Sequence, residues 1–281
     1  MISTLAAFAA PLTEADFLAL LRRRELKVWR GAMTPAQAAL LDWSALRGLI
    51  DEGNLADHDL RVSQETRSVQ PALYQTGGKA DPAKLDDLLA RGASIVVSGL
   101  ETRLRVLRAL QGDVQARLRE KITAHAVVST GAGGAFLQHY DCPDIVVLQL
   151  EGAKRWQVHA PTITHPVEGM EIAPRPAGPP ILDTVLEQGD ILFLPGGCWH
   201  SCENRAGRSL HLSIAFAPLN GWNAVAPLLR QLQYDEDFRA PLTRCEAEAD
   251  RDALEARLKA RLVQKIGELS LRDLLSGRAQ R

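Results

Sequence analysis

The sequence predicts a mainly β fold, a sandwich or barrel, flanked along the chain by helical segments. Between about residues 124 and 218, short runs rich in Val, Ile, Leu and Phe alternate with Gly and Pro, a texture typical of antiparallel sandwiches and barrels. Helical signals lie on both sides of this region. The 281 residues are 46% hydrophobic and 24% charged, a composition ordinary for a globular protein with a sizeable core.

The N-terminal region mixes helices with short strands. Helix starts are indicated by N-cap residues at Thr13, at Thr34 before Pro35 and at Asp81 before Pro82. The first of these helices is expected to run to about residue 24, before a short strand at 26–30. A buried strand is expected at 95–97 and an amphipathic helix, with its arginines in solvent, at 101–121. We predict that residues 1–60 form a helical buttress.

The β region contains six runs that are expected to be strands, at 125–130, 145–150, 153–159, 181–186, 190–195 and 209–217. We assign residues 61–218 to the β domain and residues 219–281 to a C-terminal helical segment. In that segment Leu254, Leu258 and Leu262 recur every four residues, and Ser270 with Asp273 predicts a further short helix. The leucine stripe fits either packing on the barrel or a homodimer contact, and the sequence leaves both open.

The composition excludes several classes of function. A net charge of -1 provides no electrostatic reason to expect a nucleic-acid partner. No apolar run approaches the roughly 18 residues that span a bilayer, and no basic residue precedes Arg22, as a signal peptide would require. The four cysteines are too few for a disulfide scaffold and are interpreted as reduced thiols. We therefore expect a cytoplasmic protein without a membrane partner.

Two short segments carry residues suited to metal chemistry. His139 and Asp141 are two positions apart, so on a strand an imidazole and a carboxylate share one face. This pair alone is weak evidence, because such spacings arise by chance. The second segment contains a strand that ends at Pro195, a Gly-Gly turn, and then His200, the natural third ligand. Two histidines and one carboxylate form the facial set that leaves three iron(II) positions open for oxygen chemistry.

These segments resemble the two motifs of the cupin family. The first is matched by Gly133, His139 and Asp141, and the second by Gly189, Pro195, Gly197, His200 and Asn204. An aspartate stands where many cupins have a second histidine, and Ile145-Val146 occupy the place of the cupin glutamate. In both respects the sequence resembles the Jumonji-C (JmjC) branch, which consists of iron(II)- and 2-oxoglutarate-dependent oxygenases. The stretch 139–156 resembles the ribosomal-oxygenase group within that branch.

The resemblance covers roughly residues 124–218 and implies a double-stranded β-helix, or jelly roll. In it His139, Asp141 and His200 would bind Fe(II), with 2-oxoglutarate and O2 as cosubstrates. It also implies that Lys154 pairs with the distal carboxylate of 2-oxoglutarate, because a buried carboxylate requires a cation. The tyrosine that the group often carries is Val127 here. Candidates for a replacement hydroxyl are Ser129, Thr130 and Ser213.

The resemblance implies hydroxylation of a protein or peptide side chain, and demethylation by the same chemistry stays open. Two alternatives remain: a metal-dependent cupin dioxygenase that does not use 2-oxoglutarate, and a non-catalytic cupin-like binding module. The other histidines considered are expected to be structural or surface groups, namely His125, His159, His165 and His211. Of these, His211 is the one to examine as a competing ligand.

Overall fold

A computed structural model of the protein describes residues 2–53, 55, 58–170, 173–205, 207–244 and 247–272. The chain divides into two compact units, Met1–Ala217 and Pro218–Arg281. The first unit contains the β-sheets, and the described part of the second is helical. The boundary that we predict at residue 60 stays a prediction.

Helices and strands alternate in the first half of the chain, and strands dominate from residue 121 to residue 217. The helices are α1 (Leu5–Phe8), α2 (Glu14–Arg23), α3 (Pro35–Ala38), α4 (Trp43–Asp51), α5 (Pro82–Ala90), α6 (Leu100–Arg103), α7 (Arg105–Leu118), α8 (Gly221–Gln231), α9 (Glu236–Arg239) and α10 (Glu248–Gly267). The strands are β1 (Lys27–Trp29), β2 (Leu60–Gln64), β3 (Arg67–Ser68), β4 (Gln75–Thr76), β5 (Lys79–Ala80), β6 (Ser94–Val97), β7 (Lys121–Ser129), β8 (Gly133–Gly134), β9 (Asp144–Glu151), β10 (Ala153–His159), β11 (Leu182–Glu187), β12 (Ile191–Leu194), β13 (Trp199–Asn204) and β14 (Ser209–Ala217).

The larger sheet is antiparallel and has the strand order β1-β12-β9-β14-β7-β6-β2-β3. One of its faces packs on the helices. There Ile122, Ala124 and Ala126 of β7 join a buried cluster with Phe8 of α1 and Leu110 of α7. Strand β1 lies at an edge of this sheet, so residues of the predicted buttress also contribute to it.

The smaller sheet has the order β11-β10-β13-β8 and covers the other face of the larger sheet. A second apolar cluster lies between them, with Trp156 and Val158 from β10 and Val147 and Leu192 from the larger sheet. Side chains alternate along β10 between buried and half-buried positions, as strand geometry requires. Two antiparallel sheets closed on a shared interior form the predicted double-stranded β-helix with flanking helices.

All six predicted strand runs appear as strands, with ends shifted by at most a few residues. The N-caps at Thr13, Thr34 and Asp81 each accept a backbone hydrogen bond from their own helix. The single helix predicted over 101–121 is wrong: it is two helices, α6 and α7, separated by the extended backbone of Leu104. The chain leaves α7 through Arg119 in a left-handed conformation and enters β7 at residue 121.

The second unit contains α8, α9 and α10. Of the predicted leucine stripe on α10, Leu254 is buried, whereas Leu258 and Leu262 are partly buried. Arg257 of α10 forms an ion pair with Asp237 of α9 at 3.1 Å. The helix predicted after Ser270 falls mostly outside the described residues. Among the described helices, none is both long and apolar enough to cross a membrane.

Candidate metal centre

Backbone hydrogen bonds bring together the two segments that carry the candidate metal ligands. His139 and His200 form an isolated antiparallel bridge, in which each amide donates to the other's carbonyl at 3.0 and 2.7 Å. The amide of Gly197 donates to the carbonyl of Asp141 at 2.8 Å. Residues about 60 positions apart in the sequence are therefore held in one register by main-chain bonds.

The side chains of His139, Asp141 and His200 converge, with one candidate ligand atom from each lying within 4.8 Å of the others. The Oδ2 atom of Asp141 lies 4.0 Å from Nε2 of His139 and 3.5 Å from Nε2 of His200. Within the described residues this is the only such cluster of three or more ligand-type side chains, and His211 is not part of it.

Second contacts on the two imidazoles set which nitrogen faces the cluster. Nδ1 of His139 lies 2.8 Å from the carbonyl oxygen of Leu137, and Nδ1 of His200 lies 3.1 Å from that of Cys198. A carbonyl oxygen only accepts, so each Nδ1 carries the proton and each Nε2 presents its lone pair to the cluster. This arrangement orients metal-binding histidines in many proteins.

The Gly196-Gly197 turn before β13 has a steric reason for its glycines. A Cβ on Gly196 would lie 2.1 Å from the carbonyl oxygen of Cys142, and a Cβ on Gly197 would lie 2.8 Å from that of Ile163. Gly197 also has a φ of +87°, which favours glycine. The turn is therefore pressed against two neighbouring segments, and this contact places His200.

The three candidate ligands differ in burial. The side chain of His200 is 6% exposed, whereas those of His139 and Asp141 are 41% and 38% exposed. Burial, together with the neighbouring His139, lowers the pKa of His200 to about 4. At neutral pH this imidazole is unprotonated and able to bind a metal.

Lys154 points into the barrel, because it lies on the buried face of the alternating strand β10. It is 1% exposed, and its Nζ has no hydrogen-bond partner among the described residues. Burial lowers the pKa of this ammonium. Its neighbour Arg155 points outward and pairs with Asp183 at 2.6 Å. A buried and unpaired ammonium is costly, and it fits a site for an anionic group.

The candidate hydroxyls lie in different places. Thr130 directly follows β7, and its hydroxyl donates to the carbonyl of Leu89. Ser129 shares a 2.7 Å hydrogen bond with Ser94. Ser213 is half-buried on the same face of β14 as His211. Ser129 and Ser213 lie on the inward faces of their strands, whereas the Thr130 hydroxyl already has a backbone partner, and the role predicted for each of them stays a prediction.

His211, which is expected to be a structural or surface histidine, is 3% exposed inside the barrel, and its Nδ1 has no partner among the described residues. Its ring contacts Trp156 edge to face, with centroids 5.5 Å apart. The available sequence signal was its position two residues before Ser213 on an alternating strand. Cys142, Cys198 and Cys202 are free thiols, and Cys245 lies outside the described residues.

The two packed sheets and the converging side chains of His139, Asp141 and His200 are the features that the sequence resemblance to JmjC and cupin-like proteins predicts. Residues 105–223 match the family model of the JmjC domain. This match confirms the resemblance to the JmjC family found in the sequence.

Individual relatives agree with this assignment. Ribosomal oxygenase 1 of Bos taurus is 28% identical over 238 residues, which cover 80% of this chain and 34% of that protein. The bifunctional lysine-specific demethylase and histidyl-hydroxylase NO66 of Drosophila persimilis is 28% identical over 222 residues, which cover 75% of this chain and 31% of that protein. The chain thus spans about a third of the length of these curated relatives.

Among solved structures, YcfD, a ribosomal oxygenase from Escherichia coli in complex with cobalt and 2-oxoglutarate, matches with a TM-score of 0.56. The match covers 90% of this chain and 67% of that one at 17% sequence identity. At this identity the likeness shows the fold alone, and it confirms the predicted fold class.

Proposed function

We propose that the protein is an Fe(II)- and 2-oxoglutarate-dependent oxygenase that hydroxylates a side chain of a protein or peptide. The observation that carries this proposal is the pairing of two features in one barrel. A facial set of His139, Asp141 and His200 lies at the mouth, and the unpaired ammonium of Lys154 lies inside. A metal alone would not need the second feature, whereas a dicarboxylate bound to that metal would.

The residues fit an iron(II) ion and its cosubstrate. His139 and His200 would bind through Nε2, because each Nδ1 proton is donated to a backbone carbonyl. Asp141 would supply the one negative charge of the ligand set. Lys154 would hold the distal carboxylate, and the carboxylate would in turn satisfy an ammonium that the folded chain leaves unpaired.

When bound, iron(II), 2-oxoglutarate and O2 together supply the oxidation that places one oxygen atom in a substrate C–H bond and releases succinate and CO2. The protein's own contribution is positioning and exclusion of water. Trp156 stacks on the ring of His200, with centroids 5.8 Å apart, and limits its motion. The apolar cluster of Val158, Leu186 and Leu194 closes the barrel around the site, so that charges inside it interact strongly.

The exposure of the site supports a macromolecular substrate. His139 and Asp141 face solvent, and Leu137 beside them is 60% exposed. A side chain of a peptide can reach such a mouth while its backbone stays outside the barrel. Relatives named ribosomal oxygenase and histidyl-hydroxylase agree with a protein substrate. Hydroxylation and demethylation use the same residues of this chain, and we propose hydroxylation.

We further propose a cytoplasmic location, in keeping with the free thiols, and no nucleic-acid partner. A homodimer through the C-terminal helices is also proposed. It is supported by α10, which exposes Val263 at 72% and Ile266 at 51%, because such apolar residues on one helix are typical of an interface.

The test combines binding with turnover. Cobalt(II) is expected to bind to the wild-type protein at one ion per chain, and anaerobic 2-oxoglutarate is expected to change its visible spectrum. With iron(II) in air, the protein is expected to convert 2-oxoglutarate to succinate. Asp141→Ala is expected to abolish all three signals. Asp183→Ala is the matched control, since this aspartate pairs with Arg155 on the outer face of the small sheet.

Each alternative has its own result. Stoichiometric cobalt binding with a spectrum that 2-oxoglutarate leaves unchanged would favour a cupin dioxygenase that does not use this cosubstrate. Equally weak cobalt binding by the wild-type protein and Asp141→Ala would favour a non-catalytic module. Either result would overturn the proposed function.

A further inference from the structure

Buried polar atoms without partners are concentrated inside the barrel, around Lys154. Those on inward faces of β9, β10, β13 and β14, considered among the described residues, are Gln149 Oε1, Lys154 Nζ, Trp156 Nε1, Asn204 Oδ1, Ser209 Oγ and His211 Nδ1. Leaving a buried polar group unsatisfied is unfavourable. Two of the unmatched groups, the ammonium and the indole N–H, can only donate. Such donors require an acceptor, and an anion is the strongest one.

His211 is the least explained member of this set. On the sheet it lies opposite Val127 of β7 and Gln149 of β9, and directly opposed residues share one face. Its side chain therefore points inward. The ring of Trp156 stacks on that of His200, with centroids 5.8 Å apart, and meets that of His211 edge to face, with centroids 5.5 Å apart. Trp156 is therefore a common neighbour of His211 and of the candidate ligand His200.

Lys154 and His211 act on each other electrostatically. Burial, followed by the charges of Lys154 and His200, lowers the pKa of His211 well below its ordinary value. The imidazole is therefore neutral and carries one N–H. With no carbonyl or carboxylate at Nδ1, it can present this donor or an accepting lone pair to a ligand.

The charge balance of the proposed site favours a neutral donor at this position. A divalent metal, the Asp141 carboxylate and the Lys154 ammonium sum to two positive charges, which the dianion of 2-oxoglutarate neutralises. A second cation at position 211 would leave the buried site charged, at a large desolvation cost. A neutral imidazole adds a hydrogen bond without adding charge.

We propose that His211 donates a hydrogen bond to the distal carboxylate of 2-oxoglutarate, beside Lys154, and so is a second anchor for the cosubstrate. This inference rests on the proposed function. It assigns the missing polar contact near Val127 to the residue directly opposite on the neighbouring strand, rather than to a hydroxyl.

The test is a binding measurement that needs no turnover. Manganese(II)-loaded protein is titrated anaerobically by calorimetry with 2-oxoglutarate and with 2-oxobutyrate, which has the same 2-oxo acid but no distal carboxylate. His211→Leu is expected to raise the Kd for 2-oxoglutarate roughly 10- to 100-fold and to leave that for 2-oxobutyrate unchanged. His211→Gln, which keeps an N–H donor, is expected to recover most of the affinity. His159→Ala, on the outer face of β10, is the control.

A second measurement covers the case in which His211→Leu does not fold. In the wild-type protein loaded with zinc, the imidazole N–H of His211, identified by its absence in His211→Gln, is expected to become protected from solvent exchange with 2-oxoglutarate but not with 2-oxobutyrate. Lack of this difference would overturn the assignment.

The outcomes also distinguish failure of the proposed function from failure of the role of His211 alone. If the manganese-loaded wild-type protein does not bind 2-oxoglutarate, the proposed function and the role of His211 both fail. If wild-type binding is tight and Lys154→Met weakens it while His211→Leu does not, only the role of His211 fails. An equal loss of both ligands in His211→Leu would indicate a general packing defect and would also overturn it.

Discussion

Replacing Lys154 with methionine is expected to change stability and cosubstrate affinity in opposite directions. The ammonium is 1% exposed and has no partner among the described residues. An uncompensated buried charge costs several kcal/mol. Burial lowers the pKa of Lys154, which is the direction expected for a charged group without compensation. We therefore expect a gain of about 1–2 kcal/mol in the free energy of unfolding from Lys154→Met, which has a similar unbranched shape.

This gain corresponds to a rise in Tm of about 2–8 °C for a chain of this size. The affinity for 2-oxoglutarate is expected to fall, because its distal carboxylate would then be buried without a cation. Removing one partner of a buried ion pair costs roughly 3–5 kcal/mol, which is an increase in Kd of about 100- to 1,000-fold or more.

The assays are thermal unfolding of the metal-free protein and anaerobic calorimetry with manganese and 2-oxoglutarate. Arg155→Met is the matched control on the next residue. Its ion pair with Asp183 is about one third exposed, so both measurements are expected to change little. A Lys154→Met variant that is less stable than the wild-type protein, or one that binds 2-oxoglutarate equally well, would refute this reasoning.

Four further substitutions have defined outcomes. Gly197→Ala would place a Cβ 2.8 Å from the carbonyl oxygen of Ile163 at a φ of +87°. It is expected to lower the free energy of unfolding by about 1–3 kcal/mol and to weaken cobalt binding. Its control, Gly112→Ala in α7, meets no atom and is expected to raise the free energy of unfolding by roughly 0.5–1 kcal/mol in chemical denaturation. Burial, with a nearby carboxylate, raises the pKa of Glu120 to about 7, so the wild-type protein loses stability as the pH rises from 4.5 to 7. Glu120→Gln is expected to be more stable than the wild-type protein by on the order of 1 kcal/mol at pH 8 and equally stable near pH 4.5. A difference in stability that does not depend on pH would contradict this. Thr130→Val is expected to lower stability by about 1 kcal/mol and to leave the Kd for 2-oxoglutarate unchanged, a result that an increased Kd in calorimetry would contradict.

The strands of the barrel could be predicted because their signals are local. Each run of branched and aromatic residues between Gly or Pro turns, such as 153–159 and 209–217, is a strand in the structure. The helix over 101–121 could not be predicted correctly, because its amphipathic pattern continues through Leu104. The break there is made by the extended backbone of that residue, while its partly buried side chain joins the core.

The candidate ligands could be predicted from spacing, whereas the lining of the barrel could not. His139 and Asp141 are two positions apart in the sequence, and the Gly-Gly turn lies just before His200. Strand alternation separates Thr130 from Ser129, but it does not tell which face of β7 meets the barrel. That choice depends on the helices packed against the even-numbered side of the strand.

The sequence by itself determined the succession of strands along the chain, the turn before His200 and the three residue types suited to a metal. Each of these depends on neighbours a few positions apart. Only the tertiary structure decided that Lys154 lies without a partner and that His211 lies beside Trp156 and across from Val127. These facts arise where strands distant in the chain close on a common interior. Burial there changes the protonation and hydrogen bonding of a side chain, and no single stretch of sequence contains that information.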